Sequence, residues 1–184
     1  MASNSPRRHE LLAGLGVSYE VRVVDGIDES YPHNLPVAEI PVFISQKKAE
    51  VYTLADSELL ITADTIVCLD NQVLGKPKNY TEACHMLSML SGRTHQVITG
   101  VTIKTSGWAH SFSCTSHVSF SQLTEEEIDY YVKNYHPFDK AGAYGIQEWI
   151  GYIGVSRLEG SYFNVMGLPV QRLYSELKKL NIKI

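Results

Sequence analysis

The segment from Leu59 to Leu69, which reads L-L-I-T-A-D-T-I-V-C-L, is the most apolar part of this chain. Its β-branched residues and its unbroken hydrophobic character predict a central strand that is covered on both faces. Asp64 lies in the middle of this strand. Because desolvation of a lone carboxylate costs several kcal/mol, Asp64 must be paired, bind a metal ion or take part in chemistry.

The sequence on either side of this strand alternates between helical and extended patterns. Helices are expected to begin at Pro6, with Ser5 as the N-cap, and near Val37, Asn79 or Thr81, Thr124 and Gly167. Further strands are expected at Tyr19 to Val24, Val73 to Pro77 and Ile150 to Val155, together with a hairpin formed by His95 to Ile103 and Trp108 to Phe120. This order predicts one α/β domain over residues 1–184, with a mixed sheet and flanking helices.

Composition and charge exclude several classes of protein. The 184 residues are 44% hydrophobic and 20% charged, which is typical of a globular domain. No run reaches about 18 apolar residues and no apolar segment follows the basic N-terminus, so we expect no spanning helix, no signal peptide and a cytoplasmic protein. The net charge of −4 disfavours broad nucleic-acid binding. Three isolated cysteines and seven scattered histidines make a zinc site improbable.

The chain opens with a basic helix start. Ser5 precedes Pro6, and Arg7 and Arg8 follow in the first helical turn. Cations are unfavourable beside the positive end of a helix dipole unless an anion lies between them, so a bound phosphate explains this pattern. An exposed basic turn with two solvated arginines explains the pattern equally well when it is considered alone.

Other isolated charges lie in turns and near the ends of predicted elements. Glu29 belongs to an acidic turn after the expected strand at Tyr19 to Val24, Lys48 lies near the end of a helix, and Lys76 lies between a glycine and a proline. Together with Asp64 and the arginines, they form a set suited to metal-assisted chemistry on a phosphate chain. The cations would neutralise the phosphates and the carboxylates would hold a hard divalent cation. Water activated by that metal or by Asp64 would then attack.

A stretch of small residues lies near the end of the chain, F-D-K-A-G-A-Y-G-I-Q from Phe138 to Gln147. Such a stretch lets the backbone approach a ligand closely, or it forms a tight packing turn between layers. The sequence contains neither a Walker motif nor G-x-G-x-x-G, so the corresponding ATPase and dinucleotide-binding functions have no support.

Taken together, these motifs resemble the Maf family of nucleoside triphosphate pyrophosphatases over almost the whole chain. In order, they are A-S-N-S-P-R-R at 2–8, D-E at 28–29, K-A at 48–49, A-D-T-I-V at 63–67, L-G-K-P at 74–77, S-G-R-T-H at 91–95, D-K-A-G-A-Y-G-I-Q at 139–147 and N-V-M-G-L-P at 164–169. The resemblance implies a fold similar to that of inosine triphosphate pyrophosphatases, with a substrate cleft between two lobes. It also implies a divalent cation (Mg²⁺ or Mn²⁺), a homodimer in many members, and hydrolysis between the α and β phosphates to a nucleoside monophosphate and pyrophosphate.

The same resemblance assigns roles to individual residues. Asp64 matches the general base, Glu29, Lys48 and Lys76 match polar catalytic and phosphate-contacting groups, and Glu29 and Asp64 are the expected metal ligands. Ser5, Arg7, Arg8, Thr65 and Gln147 are the expected substrate-binding residues, of which Arg7, Thr65 and Gln147 match positions associated with substrate choice. The glutamine in Y-G-I-Q is typical of members that act on dTTP and UTP, since an amide offers a donor and an acceptor to the imide edge of a pyrimidine.

Two rival functions follow from the same resemblance. One is a nucleotide-binding regulator of septum formation and cell division, and the other is a pyrophosphatase of the 7-methyl-GTP type. Retention of both carboxylates and both lysines favours turnover over binding alone.

The resemblance departs from the family pattern at the first residue. Family members begin with a short apolar strand before A-S-x-S, whereas Met1 stands where that strand would end. Either the start of the sequence is assigned too late or the strand is absent. In the second case, the sheet and the position of Ser3 to Arg8 would change.

Overall fold

A computed structural model describes residues 1–182 and divides the chain into two compact units. Unit 1 comprises Met1–Thr65, Thr99–Cys114 and the chain from Phe163 onward, and unit 2 comprises Ile66–Ile98 and Thr115–Tyr162. The helices are α1 (Pro6–Ala13), α2 (Ile40–Glu50), α3 (Tyr80–Leu90), α4 (Glu125–Tyr135), α5 (Trp149–Gly154), α6 (Tyr162–Met166) and α7 (Val170–Lys179). The strands are β1 (Leu60–Leu69), β2 (Gln72–Leu74), β3 (Thr94–Lys104), β4 (Ala109–Phe120) and β5 (Val155–Glu159).

The five strands form one sheet in the order β2-β1-β3-β4-β5, and the α/β class is confirmed. β2 pairs with β1 and β5 pairs with β4 in antiparallel register, for example Val67 opposite Leu74 and Val118 opposite Leu158. β1 lies inside the sheet, and every one of its residues except Thr65 is buried. The apolar segment is therefore a central strand, as its sequence predicts.

Met1 and Ala2 hold the beginning of the chain against β1. Ala2 forms a parallel bridge with Thr62, and its N–H donates to Ile61 O at 3.0 Å. On the other side, the N–H of Arg22 donates to Met1 O at 3.1 Å. This parallel bridge lies outside the five strands, and it anchors the segment that leads into α1.

Two predicted strands are wrong. Tyr19 to Val24 alternates like a strand but forms no regular secondary structure, because its valines face solvent and Tyr52 holds it by one hydroxyl. That hydroxyl donates to Arg22 O at 3.0 Å and accepts from Val24 N at 2.9 Å. Ile150 to Val155 lies mostly in the short helix α5, because the Glu148 carbonyl accepts the Gly151 N–H at 2.8 Å and closes a helical turn.

The units have different hydrophobic cores. In unit 1, Leu12 and Leu173 are among the buried side chains that join α1 and α7 to the sheet. In unit 2, α3 packs on α4, with Leu87 and Val132 among the fully buried residues. No helix within residues 1–182 has the length and apolar character needed to cross a membrane.

Candidate active site

A lysine joins two of the predicted carboxylates in unit 1. Lys48 Nζ lies 2.8 Å from Asp64 Oδ1 and 2.9 Å from Glu29 Oε1. The three side chains come from α2, β1 and the segment that precedes α2, and we call them the carboxylate cluster. The side chains of Lys48 and Asp64 are 14% and 12% exposed, whereas that of Glu29 is 51% exposed. The structure thus brings three of the predicted site residues together, in a cluster with a buried end and an open end.

The segment that carries Glu29 is held by the neighbouring lysine. Lys47 Nζ donates to Asp28 Oδ2 and to Ser30 O, both at 3.0 Å. Asp28 also accepts from the hydroxyl of Ser30 at 2.6 Å and from its N–H at 2.9 Å. The Ser30 hydrogen bonds, assisted by Lys47, lower the pKa of Asp28 to about 2. Two consecutive lysines therefore bind two consecutive carboxylates.

Helix α2 presents Lys48 to Asp64 because it is tied closely to the sheet. A Cβ atom on Gly100 of β3 would lie 2.3 Å from the backbone of Pro41 and Val42, so only glycine permits this approach. Farther along α2, the Thr62 hydroxyl donates to Ser45 O at 2.6 Å. At the end of the helix, Lys104 Nζ donates to Ala49 O at 2.8 Å and satisfies a terminal carbonyl.

The guanidinium group of Arg8 forms hydrogen bonds with other parts of the protein. Its Nε donates to Gly167 O at 2.8 Å, its Nη1 donates to Ala63 O at 2.8 Å, and its Nη2 donates to Thr65 Oγ1 at 3.0 Å. Burial lowers the pKa of Arg8, while the nearby Asp64 carboxylate raises it. Three of its five N–H donors thus connect α1 with β1 and with the turn after α6, a structural role that the sequence did not predict. Its contact with substrate stays a prediction.

The other predicted residues of the first helix lie at its beginning. Ser5 is the N-cap, as predicted, but its hydroxyl makes no capping hydrogen bond, and its carbonyl accepts from Arg8 N and His9 N. Arg7 follows in the first turn and is partly exposed. A substrate contact by Ser5 or Arg7 stays a prediction.

Thr65 belongs to a chain of hydroxyl groups. Thr99 donates its only hydroxyl proton to Asn164 O at 3.0 Å, so the 2.9 Å contact between the two threonines is donated by Thr65. The order of donation is Arg8 to Thr65, Thr65 to Thr99, and Thr99 to the Asn164 carbonyl. The sequence analysis does not predict a role for Thr99, whose acceptor Asn164 begins the motif N-V-M-G-L-P.

Lys76 and Gln147 lie in unit 2. Lys76 follows β2 and is exposed, and it makes no ion pair within residues 1–182. The preceding Gly75 accepts a hydrogen bond from Gly142 N at 3.1 Å, which ties the turn at Lys76 to the segment 139–148. We call that segment the glutamine segment, because it carries Gln147.

The glutamine segment has an unusual backbone. Gly142 and Ala143 have φ values of +67° and +59°, and the left-handed conformation costs about 1–2 kcal/mol at a residue with a Cβ atom. A Cβ atom on Gly142 would lie 2.9 Å from Val67 Cγ2, so this part of the stretch is a packing turn, one of the two predicted alternatives. Gln147 is partly buried, and its Oε1 is buried without a hydrogen-bond partner among the described residues.

Both predicted metal ligands, Glu29 and Asp64, lie in the carboxylate cluster. No group of three or more histidine, cysteine, aspartate or glutamate side chains within residues 1–182 forms a metal site on its own. Glu29 and Asp64 nevertheless offer hard oxygen ligands to one shared place, where Lys48 Nζ lies between them. Mg²⁺ is commonly held by one or two carboxylates, with water and substrate phosphates completing its octahedron.

The α/β fold gathers a lysine and two carboxylates beside a buried strand. The chain belongs to the Maf family: residues 1–180 match the family model described as Maf-like protein.

Similar curated proteins include one from Phocaeicola vulgatus, 61% identical over 182 residues, and one from Bacteroides thetaiotaomicron, 59% identical over 182 residues. In both comparisons, the aligned region covers 98% of this chain and 94% of the relative. A protein from Flavobacterium psychrophilum is 47% identical over 176 residues, which are 95% of this chain and 90% of the relative. All three relatives carry the name dTTP/UTP pyrophosphatase. The predicted family is confirmed.

Proposed function

We propose that this chain is a nucleoside triphosphate pyrophosphatase that hydrolyses dTTP and UTP to the nucleoside monophosphate and pyrophosphate. The single observation that carries the proposal is the carboxylate cluster, in which a nearly buried aspartate is oriented by a lysine. The relatives named dTTP/UTP pyrophosphatase support the choice of substrate, since they match this chain over nearly its full length.

Asp64 is the proposed general base. Lys48 binds Oδ1 of its carboxylate at 2.8 Å, whereas Oδ2 has no hydrogen-bond partner among the described residues. Oδ2 is therefore the oxygen that accepts a proton from the attacking water. The water oxygen forms a bond to the α-phosphorus as the bond to the bridging oxygen breaks, and pyrophosphate leaves.

Glu29 and Asp64 would hold the proposed Mg²⁺ or Mn²⁺ ion. When bound, the ion supplies neutralisation of the triphosphate charge and polarisation of the phosphoryl oxygens. Lys48 adds a charge that the protein itself provides, and charge-assisted contacts of this kind are about twice as strong as neutral hydrogen bonds. Arg7 and Lys76 are the further cations proposed to contact the phosphates.

Gln147 is the proposed base-selecting residue. Its buried Oε1 lacks a partner among the described residues, and an unpaired acceptor suits the N3–H of uracil or thymine. Its amide N–H groups suit the O4 atom of the same base. Cytosine reverses this pattern, with an amino donor at C4 and an acceptor at N3, so UTP and dTTP are preferred to CTP.

Substrates of this class also suggest a cellular compartment and a metabolic role for the enzyme. Nucleoside triphosphates form a cytoplasmic pool, where we propose that the enzyme acts on dTTP, UTP and modified pyrimidine nucleotides as a house-cleaning activity. The homodimer implied by the family resemblance remains a prediction.

The test is release of pyrophosphate by the purified chain from a panel of UTP, dTTP, CTP, GTP and 7-methyl-GTP, with titration of Mg²⁺ and Mn²⁺. We expect UTP and dTTP to be hydrolysed with the highest kcat/KM, and activity to require one of the two metals. Saturable binding without release would favour the regulatory function instead. Faster turnover of 7-methyl-GTP would favour the other pyrophosphatase type.

A further inference from the structure

The last four residues of the glutamine segment, Gly145 to Glu148, form a turn. One backbone hydrogen bond and one side-chain hydroxyl each join the two ends of this turn. In the backbone, the N–H of Glu148 donates to Gly145 O at 3.0 Å. Through side chains, the N–H of Gly145 donates to the Tyr131 hydroxyl at 3.0 Å, and that hydroxyl donates to Glu148 Oε2. One phenol on α4 therefore binds the first and the last residue of the turn that carries Gln147.

The direction of each hydrogen bond in this closure is determined. A tyrosine hydroxyl has one proton, and because the Gly145 N–H supplies its own proton, the hydroxyl proton goes to the Glu148 carboxylate. Burial raises the pKa of Tyr131, so the phenol keeps this proton throughout the neutral range. The Tyr131 side chain is fully buried, which shields both bonds from water.

The Glu148 carboxylate is held on its other oxygen as well. Oε1 lies 3.2 Å from Lys140 Nζ, and Lys140 is also 2.7 Å from Asp139 Oδ1. Lys140 is itself buried, so this carboxylate has a charge partner in a poorly solvated place. Each oxygen of Glu148 has a partner of its own, and the carboxylate cannot rotate without breaking one of the two contacts.

The turn also determines where the Gln147 amide lies. A Cβ atom on Gly145 would lie 2.9 Å from Glu148 Cδ and 3.1 Å from Gln147 Nε2, so both side chains pack over the bare Cα of Gly145. Gln147 Nε2 is thereby placed against the turn, while Oε1 is buried without a partner among the described residues. A glutamine that holds its amide one way round is what discrimination between uracil and cytosine requires.

We propose that the Tyr131 hydroxyl is a positioning group for base selection, which holds the turn from Gly145 to Glu148 and thereby the orientation of the Gln147 amide. Tyr131 does not touch the substrate in this proposal. The inference rests on the proposed function, because it explains how that function chooses its base.

The experiment compares Tyr131→Phe with wild type and with the control Tyr135→Phe. Tyr135 stacks on Tyr131 with ring centroids 5.1 Å apart, yet its hydroxyl makes no hydrogen bond within residues 1–182. In Tyr131→Phe, we expect the ratio of kcat/KM for UTP to that for CTP to fall about tenfold, mainly through a higher KM for UTP with kcat retained. Amide hydrogen exchange of a peptide covering 144–149 should become faster. Tyr135→Phe should match wild type in both measurements.

A second variant, Gly145→Ala, displaces the Gln147 and Glu148 side chains without changing Tyr131, and it should lower the same ratio even if Tyr131→Phe does not fold. A selective wild type beside a folded, equally selective Tyr131→Phe variant would overturn the inference alone, and so would an equally selective Gly145→Ala variant if Tyr131→Phe does not fold. A wild type that releases no pyrophosphate from UTP would overturn the proposed function, and this inference with it.

Discussion

The carboxylate cluster of unit 1 and the glutamine segment of unit 2 are built in different ways. The cluster consists of ion pairs between side chains from three separate elements, and Glu29 at its open end is half exposed. The glutamine segment consists of residues close to one another along the chain, held by backbone hydrogen bonds, one buried phenol and the ion pairs of Lys140 with Asp139 and Glu148. Ion pairs between distant residues therefore build the first region, whereas backbone hydrogen bonds and local ion pairs together build the second.

This difference predicts how each region responds to mutation. In the cluster, removing a charge changes the chemistry, and its effect on stability depends on how deeply the partner is buried. In the glutamine segment, a lost hydrogen bond or an added methyl group changes which base is accepted. The following substitutions test that division, beginning with the largest expected effect.

Asp64→Asn should lower kcat by roughly 10²–10⁴, the usual effect of losing a positioned base. Asparagine can still accept a hydrogen bond from Lys48 but cannot accept the proton from water, so folding should be retained. The measurement is steady-state kinetics with UTP, alongside thermal melting. Asp70→Asn at the end of the same strand, where the side chain is 73% exposed, is the matched control and should keep wild-type kcat. Near-wild-type turnover by a folded Asp64→Asn variant would remove Asp64 from the mechanism.

Lys48→Met should lower kcat/KM about 100-fold and also destabilise the fold by about 1–3 kcal/mol. The apolar stem of the side chain is kept, but the nearly buried Asp64 carboxylate loses its cation. Urea unfolding and UTP kinetics measure the two effects separately. Lys47→Met, which changes the more exposed neighbour, should be less harmful in both. If Lys48→Met unfolded like wild type, the ion pair would not contribute to stability.

Gln147→Glu should lower kcat/KM for UTP about 30-fold, because a donor is replaced by an anion in a partly buried place. The melting temperature should change little, since Gln147 Oε1 bonds to no described residue. Gln72→Glu, on an exposed position of β2, controls for the added charge. Unchanged preference for UTP over CTP in Gln147→Glu would show that another residue selects the base.

His95 should make unit 2 less stable in acid. Burial lowers the pKa of His95 to about 4, from its usual 6.5. Between these two pH values the unfolded chain binds a proton that the folded chain does not, so stability falls as the pH falls through this window. The contribution amounts to about 2 kcal/mol between pH 7 and pH 5.

Urea unfolding at pH 7, 6 and 5 measures that slope. His95→Gln can still form a hydrogen bond with the Tyr144 hydroxyl, but it should remove the contribution of His95 to the pH dependence of the unfolding free energy. His85→Gln, on the exposed side of α3, should leave that pH dependence unchanged. Identical slopes for wild type and His95→Gln would assign the acid sensitivity to other groups.

Lys76→Ala should have the smallest effect, a loss of about tenfold in kcat/KM for the triphosphate with the melting temperature unchanged. Lys76 is exposed and makes no ion pair in the described part of the chain, so its removal should not change the stability of the fold. Lys78→Ala, two residues further along, is the matched control. A sharp drop in melting temperature with preserved kinetic constants would make Lys76 a structural residue instead.

Local patterns predicted much of the fold. The buried strand β1, the N-cap at Ser5 and the hairpin of β3 and β4 follow from hydrophobic spacing and turn residues. The predicted helix start near Thr124 is confirmed, and α4 opens with a capping box in which Thr124 and Glu127 each accept from the other's backbone N–H. The predicted strand at Tyr19 to Val24 is wrong because alternation makes a strand only where a partner strand is available.

The sequence by itself determined the elements, the family motifs and the presence of an acid inside an apolar strand, because each depends on residues that are neighbours along the chain. Only the tertiary structure decided how the charges are used. Lys48 and Asp64 are 16 residues apart, and Arg8 binds the carbonyl of Gly167 across 159 residues. Such partners depend on where the chain returns and on which way a carbonyl points. Neither is encoded in local spacing, so a basic helix start that suggested a phosphate also contains an arginine that holds the fold together.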